Sequence, residues 1–225
     1  MWIHLKIINV CWKLGEGMAL ISGAGGKSDI AAVVLAAGLS LRMGQPKMIL
    51  PWGNQTVIGH VVSVLQTSGV QSITVVTGGT ANLVETALAS YPVTSVFNPN
   101  YSNGDMLFSI QIGLASLSID VQAALVVLGD QPQIEMKTIT DIIDLYRREK
   151  PYFIVPSFKM RRGHPWLIEK SLWPQILRLD PPATMREFFH QHDRLIRYLE
   201  VDSSSVLSDL DTPEDYQKNK PAPQG

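Results

Sequence analysis

This sequence has little cysteine, no long apolar run and almost no net charge, and each absence excludes a class of protein. The single cysteine, Cys11, excludes an intrachain disulfide framework and any multi-cysteine zinc or iron–sulfur site, and it fits a reducing cytoplasm. No stretch approaches the roughly 18 apolar residues that span a bilayer, so no membrane partner is expected. The formal net charge of -1 gives no electrostatic case for binding nucleic acid.

What is present is typical of an α/β enzyme. The 225 residues, 45% hydrophobic and 17% charged, are enough for one domain with a substantial core. Apolar, β-branched runs alternate with stretches of helical periodicity, which predicts a doubly wound, mostly parallel sheet. The predicted strands are residues 30–36, 72–77, 93–97, 123–128, 153–156 and 195–201. The predicted helices are 56–66, 81–90, one ending near 117, 135–150, 172–179, 183–190 and one starting at Thr212-Pro213.

The two ends of the chain are expected to lie outside this domain. Residues 30–218 are predicted to form a single domain, and residues 219–225, which contain two prolines, a disordered tail. Residues 1–29 are interpreted as a leader that is either disordered or the product of a misassigned start, with Met18 as the alternative first residue.

The first predicted strand runs into a loop with the composition of a phosphate site. Gly38, Ser40 and Gly44 are small, and small residues let backbone N–H groups approach an anion closely. Arg42 offers a planar fork of donors and Lys47 a compact point charge. Such a loop lies at the carboxyl edge of the sheet, where open α/β folds bind ligands. It predicts a triphosphate site, although solvated cations on an ordinary turn would have the same composition.

Two aspartates and a histidine are further candidates. Asp130 directly follows a buried strand at the same predicted edge, and Mg²⁺ prefers one or two carboxylates plus waters and substrate phosphates. A turn or N-cap role is the alternative for Asp130. The start of a helix at Thr212-Pro213 explains the acidic residues after it but not Asp211. His164, in a Gly-His-Pro turn, is either architectural or a donor to a phosphate.

Several of these strings resemble motifs of one family. Leu35 to Lys47 resembles the signature L-A-A-G-x-S-x-R-M-G-x-x-K of the MobA-like nucleotidyltransferases. Ala37, continued by M-I-L-P-W, is most similar to the molybdenum cofactor cytidylyltransferase branch; relatives that transfer guanylate usually carry a second glycine there. G-D-Q-P, which contains Asp130, resembles the metal-binding motif of this family. D-L-D-T-P-E-D, residues 209–215, which contains Asp211, resembles the last motif of the family along the chain, here called the closing motif. The resemblance spans residues 30–216 and implies a Rossmann-like three-layer α/β/α fold.

The resemblance also implies roles for individual residues. Arg42, Lys47 and Asp130 would be catalytic, Asp130 and Asp211 would hold Mg²⁺, and Gly163-His164-Pro165 would contact the acceptor. The nucleotide would contact Leu35, Ala36, Ala37, Gly38, Ser40, Arg42, Gly44, Lys47, Thr77, Gly78, Asn98, Gly104 and Ser109.

The expected activity is transfer of CMP from CTP to a phosphorylated acceptor, most simply molybdopterin, with release of pyrophosphate. A molybdoenzyme that receives the product is a possible further partner. Three alternatives stay open at this point. The acceptor could be a sugar phosphate or methylerythritol phosphate, the base could be that of GTP, or the protein could bind a nucleotide and deliver a cofactor without catalysis.

Overall fold

A mixed β-sheet forms the centre of the molecule. The computed structural model describes residues 29–103 and 106–222, so the predictions for residues 1–28 including Cys11, for Gly104 and for residues 223–225 lie outside it. The strands in this part are β1 (Ile30–Ala36), β2 (Pro51–Trp52), β3 (Gln55–Thr56), β4 (Ser72–Thr77), β5 (Thr94–Phe97), β6 (Ala123–Leu128), β7 (Phe153–Phe158), β8 (Arg161–Arg162), β9 (Trp166–Glu169) and β10 (Ile196–Glu200).

Strand order reverses at β1. The sheet runs β10-β7-β9-β6-β1-β4-β5, with β8 beside β7, while β2 and β3 form a separate hairpin. β1 is parallel to both β4 and β6, β5 is parallel to β4, and β10 is parallel to β7. β9 runs antiparallel to its neighbours β6 and β7. The chain leaves β1 on one side and returns on the other, which opens a ligand crevice at the carboxyl ends of β1 and β6.

Helices cover both faces of the sheet. They are α1 (Val57–Thr67), α2 (Ala81–Ala87), α3 (Met106–Ser116), α4 (Met136–Glu149), α5 (Trp173–Ile176), α6 (Met185–Gln191) and α7 (Pro213–Asn219). Because successive side chains of a strand point to opposite faces, Ala32 and Val34 of β1 pack with α1 and α4. Ala31 and Val33 pack with α3 and α6. The result is the predicted three-layer arrangement, and in the described part no helix is long and apolar enough to cross a membrane.

The predicted strands over residues 30–36, 72–77 and 123–128 coincide with β1, β4 and β6. The continuous helix predicted over 172–179 was wrong. A 3₁₀ turn, Lys170–Leu172, leads into α5, which ends at Ile176. The side-chain amide of Gln111 then donates to the carbonyl oxygens of Ile176 and Leu179, at 2.9 and 2.8 Å, and takes up backbone acceptors where the helix stops. That partner is distant in sequence, so local periodicity did not predict the end.

Candidate active site

The loop after β1 is tightly folded. Ser40 has a φ of 53° and precedes a 3₁₀ turn, Leu41–Met43, which Gly44 ends with a φ of 65°. The backbone N–H of Lys47 donates to the Ser40 hydroxyl at 3.2 Å, so the loop closes on itself. A Cβ placed on Gly38 would meet no atom within 4 Å. The backbone at Gly38 therefore borders free space into which an anion could come close.

Four charged side chains form one cluster at the crevice. The ammonium of Lys47 contacts Oδ2 of Asp130 and lies 3.4 Å from Oδ1 of Asp211. The guanidinium of Arg42 lies 2.9 Å from Oδ2 of the same Asp211. The Lys47 side chain is only 11% exposed, whereas that of Arg42 is 72% exposed. Lys47 is thus the inner counter-charge of the two carboxylates, and Arg42 reaches Asp211 from the solvent side.

Backbone hydrogen bonds bring the two aspartates together across a long sequence separation. The N–H of Gly129 donates to the carbonyl oxygen of Leu35 at 3.0 Å, which joins the loop after β6 to the end of β1. The N–H of Leu210 donates to the carbonyl oxygen of Asp130, also at 3.0 Å. Thr212 caps α7 through a capping box with Asp215. The closing segment, residues 209–215, is therefore fixed on both sides of Asp211.

The four charged residues of the cluster line a cavity of about 620 Å³. Its wall includes nine of the residues predicted to bind nucleotide or metal: Leu35, Ala37, Gly38, Ser40, Arg42, Lys47, Ser109, Asp130 and Asp211. Sequence reasoning missed other lining residues, among them Tyr101, Met106 and Asp209. Burial raises the pKa of Asp209, and the nearby charges of Asp130 and Asp211 raise it further. Asp209 sits in the closing motif quoted above, which was the signal that could have identified it.

Other predicted nucleotide contacts are not among the lining residues in the described structure. Thr77 is fully buried, and its hydroxyl donates to the carbonyl oxygen of Val96 at 3.3 Å. Asn98 is fully buried and donates to the hydroxyl of Ser109 at 2.9 Å. Ala36 is buried in β1, and Gly44 is exposed at the outer end of its turn. For these residues the structure provides a packing or turn role, and their contact with a nucleotide stays a prediction.

Gly78 also has a structural reason to be glycine. A Cβ there would lie 2.5 Å from the carbonyl oxygen of Ala37 and 2.7 Å from Cβ of Tyr101. No side chain fits at such distances without a shift of backbone. Gly78 therefore allows the turn after β4 to pack closely on the loop after β1.

The turn Gly163-His164-Pro165 lies against Val206, which precedes the closing segment, and is outside the set of residues that line the cavity. The backbone N–H of His164 donates to the carbonyl oxygen of Val206 at 2.9 Å, and its ring stacks on Trp166 with centroids 4.1 Å apart. Burial lowers the pKa of His164 to about 4, so the imidazole is neutral at neutral pH. Its Nε2 is buried without a hydrogen-bond partner among the described residues. Contact of this turn with an acceptor stays a prediction.

The acidic pair suits a divalent cation that takes oxygen ligands. Among the described residues no group of three or more His, Cys, Asp and Glu side chains could hold an ion by itself, which argues against a closed zinc or calcium cage there. The carboxylates of Asp130 and Asp211 both contact the ammonium group of Lys47, so they face the same point in the cavity. Mg²⁺ is commonly bound by one or two carboxylates, with waters and substrate phosphates as the other ligands.

Comparison with known proteins shows the family of this chain. Residues 32–195 match the family model of the MobA-like NTP transferase domain. The chain belongs to this family. The predicted nucleotidyltransferase family and Rossmann-like fold are thereby confirmed.

Two curated relatives of this MobA-like protein have different activities in their names. The molybdenum cofactor cytidylyltransferase of Escherichia coli strain K12 is 29% identical over 195 residues, which cover 84% of this chain and 94% of that protein. The nicotine blue oxidoreductase of Paenarthrobacter nicotinovorans is 27% identical over 197 residues, 82% of this chain and 93% of that one. Overall similarity to these relatives therefore does not by itself select the substrate and acceptor of this nucleotidyltransferase.

Solved structures share the architecture of the MobA-like chain. Rv0371c from Mycobacterium tuberculosis H37Rv aligns with a TM-score of 0.74 at 29% identity, over 84% of this chain and 96% of that one. Its complex with manganese aligns with a TM-score of 0.72 at 28% identity, over 85% and 97% of the two chains.

Proposed function

We propose that this protein transfers CMP from CTP to a phosphorylated acceptor, the molybdopterin form of the molybdenum cofactor, with Mg²⁺ as the metal. An acceptor phosphate oxygen attacks the α-phosphorus of CTP, and the bond from that phosphorus to the pyrophosphate oxygen breaks. The observation that carries the proposal is the contact of the Lys47 ammonium with both Asp130 and Asp211, beside the loop that follows β1. That arrangement combines a group that holds phosphate oxygens with a pair of carboxylates that can hold a divalent cation.

The protein's own part in such a reaction is to position the phosphates and balance their charge. Arg42, Lys47 and the backbone N–H groups beside Gly38 would bind the triphosphate oxygens and offset the charge on the departing pyrophosphate. Asp130 and Asp211 would hold the metal, which when bound neutralises phosphate charge and acts as a Lewis acid. The exposed position of Arg42 suits a residue that closes over the phosphates from the solvent side.

The choice of base and acceptor rests on similarity. The E. coli relative is named a molybdenum cofactor cytidylyltransferase, and Ala37 occupies the position at which guanylate-transferring relatives usually carry glycine. The turn at His164 is the proposed acceptor contact; it packs on Val206, in the stretch of chain that precedes Asp211. Because its imidazole is neutral, His164 would take part as a hydrogen-bonding group and not as a cation. A cytoplasmic location and delivery of the product to a molybdoenzyme belong to the same proposal.

One assay separates the proposal from its alternatives. Purified protein is incubated with Mg²⁺, each of CTP, GTP, ATP and UTP, and molybdenum–molybdopterin, methylerythritol phosphate or a sugar phosphate, while pyrophosphate release is followed. The proposal expects release with CTP and molybdenum–molybdopterin. Faster release with another pair would reassign the base or the acceptor. Tight CTP binding without pyrophosphate release from any pair would favour a non-catalytic binding and delivery protein.

A further inference from the structure

The cavity wall carries both charged and apolar side chains, and the proposed chemistry uses only the charged ones. Arg42, Lys47 and the aspartates form the charged part of the wall, called the charged end below. Leu39, Tyr101 and Met106, called the apolar end below, also line the cavity, and none of them has a role in the charge balance described above. A nucleoside triphosphate has the same polarity, with phosphates at one end and a flat, apolar-faced base at the other.

The order of the strands keeps the two ends apart. Asp130 follows β6, whereas Tyr101 packs on Gly78 and Gly79, which follow β4. In the order β6-β1-β4-β5, β6 and β4 are separated by two strand spacings, about 10 Å at ~4.8 Å each. If the triphosphate occupies the charged end over β1 and β6, the rest of the nucleotide extends toward the ends of β4 and β5, where Tyr101 lies.

Tyr101 is held in place by small residues and by Asn98. A Cβ on Gly79 would lie 3.0 Å from Cε2 of the tyrosine ring and 2.4 Å from Cδ2 of Leu39, so both side chains close on this glycine. The ring of Phe97 packs edge-on against Tyr101, with centroids 6.0 Å apart. The N–H of Tyr101 donates to the carbonyl oxygen of Asn98, whose side chain is itself bound to Ser109. An aromatic ring fixed in this way is preorganised to receive a flat partner.

We propose that Tyr101 is a base-binding residue, against which the nucleobase packs at the apolar end of the cavity. This rests on the proposed nucleotide binding and adds a specific prediction to it. Gly78, Gly79 and Asn98 are then positioning residues that hold the ring. An aromatic contact to a base contributes through its ring face and not through the phosphates, so its effect depends on the presence of the base.

The test compares two ligands that share phosphates but differ in the base. Dissociation constants of CTP and of inorganic tripolyphosphate are measured by calorimetry with Mg²⁺ for the wild type, Tyr101→Ala and Tyr101→Phe. Tyr101→Ala is expected to raise the CTP dissociation constant roughly 5- to 100-fold. Tripolyphosphate binding should stay within about twofold, since no phosphate contact is removed. Tyr101→Phe keeps the ring and should bind both ligands as the wild type does.

Tyr152→Ala is the matched control, since Tyr152 is 48% exposed and is not among the cavity-lining residues. It should leave both dissociation constants unchanged. Unchanged CTP binding by Tyr101→Ala would overturn the inference. Parallel loss of both ligands would also overturn it, because the ring would then act only by holding the loop. A different result would count against the proposed function itself: the wild type binds tripolyphosphate, and it binds none of the nucleoside triphosphates more tightly than tripolyphosphate. Failure of the proposed function can therefore be distinguished from failure of the inference about Tyr101.

Discussion

Replacing Lys47 by methionine is the most informative single change, because this one ammonium serves both carboxylates. The substitution keeps most of the side-chain volume and removes the positive charge. Asp130 and Asp211 then face each other without their inner counter-charge, and the triphosphate loses one of its proposed partners. The same residue therefore gives two measurable effects, one on stability without substrate and one on the rate.

The two effects can be sized from the exposure of the groups. Lys47 is 11% and Asp130 17% exposed, so loss of one partner leaves a largely desolvated carboxylate and costs about 1–3 kcal/mol of unfolding free energy. Arg42 is 72% exposed, and its pair with Asp211 contributes about 0–1 kcal/mol. Removal of one charge-stabilising group typically lowers the rate by about 10² to 10³. Lys47→Met should therefore be both less stable and far slower, whereas Arg42→Met should lose rate with little loss of stability.

The assay pairs urea unfolding with steady-state release of pyrophosphate from CTP and molybdenum–molybdopterin. Added Mg²⁺ should restore part of the stability of Lys47→Met, because a divalent cation can replace the missing ammonium between the carboxylates, and it should restore none of the lost rate. Wild-type turnover by Lys47→Met would refute the reasoning. So would equal losses of stability in the lysine and arginine variants, since the argument depends on their different burial.

Three further predictions concern packing and pH. Gly113→Ala should destabilise the fold by about 1–3 kcal/mol in urea unfolding, because the new Cβ would lie 2.2 Å from Cγ1 of Val33; an unchanged midpoint would mean that α3 can move off β1. Gly38→Ala should leave stability unchanged but weaken tripolyphosphate binding in calorimetry, because its Cβ meets no protein atom within 4 Å and would occupy space beside the loop backbone; undiminished binding would place the phosphates elsewhere. Between pH 6.5 and about 4 the unfolded state protonates His164 while the folded state does not, so wild-type stability should fall with decreasing pH by up to about 3 kcal/mol. His164→Asn should reduce the pH dependence of the unfolding free energy in that window. A variant whose pH profile of stability is identical to that of the wild type would contradict the burial of the ring.

The local parts of the fold were predictable from sequence because their causes are local. An unbroken apolar run from Ile30 to Ala36 is typical of a strand covered on both faces, and β1 is buried throughout. The sequence predicts helices that start at Thr56 and at Thr212. In the structure each threonine side-chain oxygen accepts a hydrogen bond from a backbone N–H in the first turn of its helix. The motif loop after β1 was likewise evident from its composition.

The parts of the site that depend on long-range contacts were less predictable. Asp211 reaches Asp130 through the hydrogen bond of Leu210, and no local pattern indicates which strand loop that segment will join. Thr77 and Asn98 show that position after a strand does not by itself separate a ligand contact from a packing role, and their contact with a nucleotide stays a prediction. The sequence does not show the hydrogen bonds that the folded chain provides, from Thr77 to Val96 of β5 and from Asn98 to Ser109 of α3. Tyr101 was passed over because its neighbours are turn formers, and its packing on Gly78 and Gly79 appears only in three dimensions.

The most direct test of the central claim is the mass of the product formed from CTP, Mg²⁺ and molybdenum–molybdopterin by the wild type and by Asp130→Asn and Asp211→Asn. We predict a cytidylylated cofactor and an equal amount of pyrophosphate from the wild type. A thermal melt should show that each aspartate variant is folded. Each variant should nevertheless form at least about 100-fold less cytidylylated cofactor than the wild type. No adduct from the wild type with any nucleotide, or full conversion by both aspartate variants, would contradict the account.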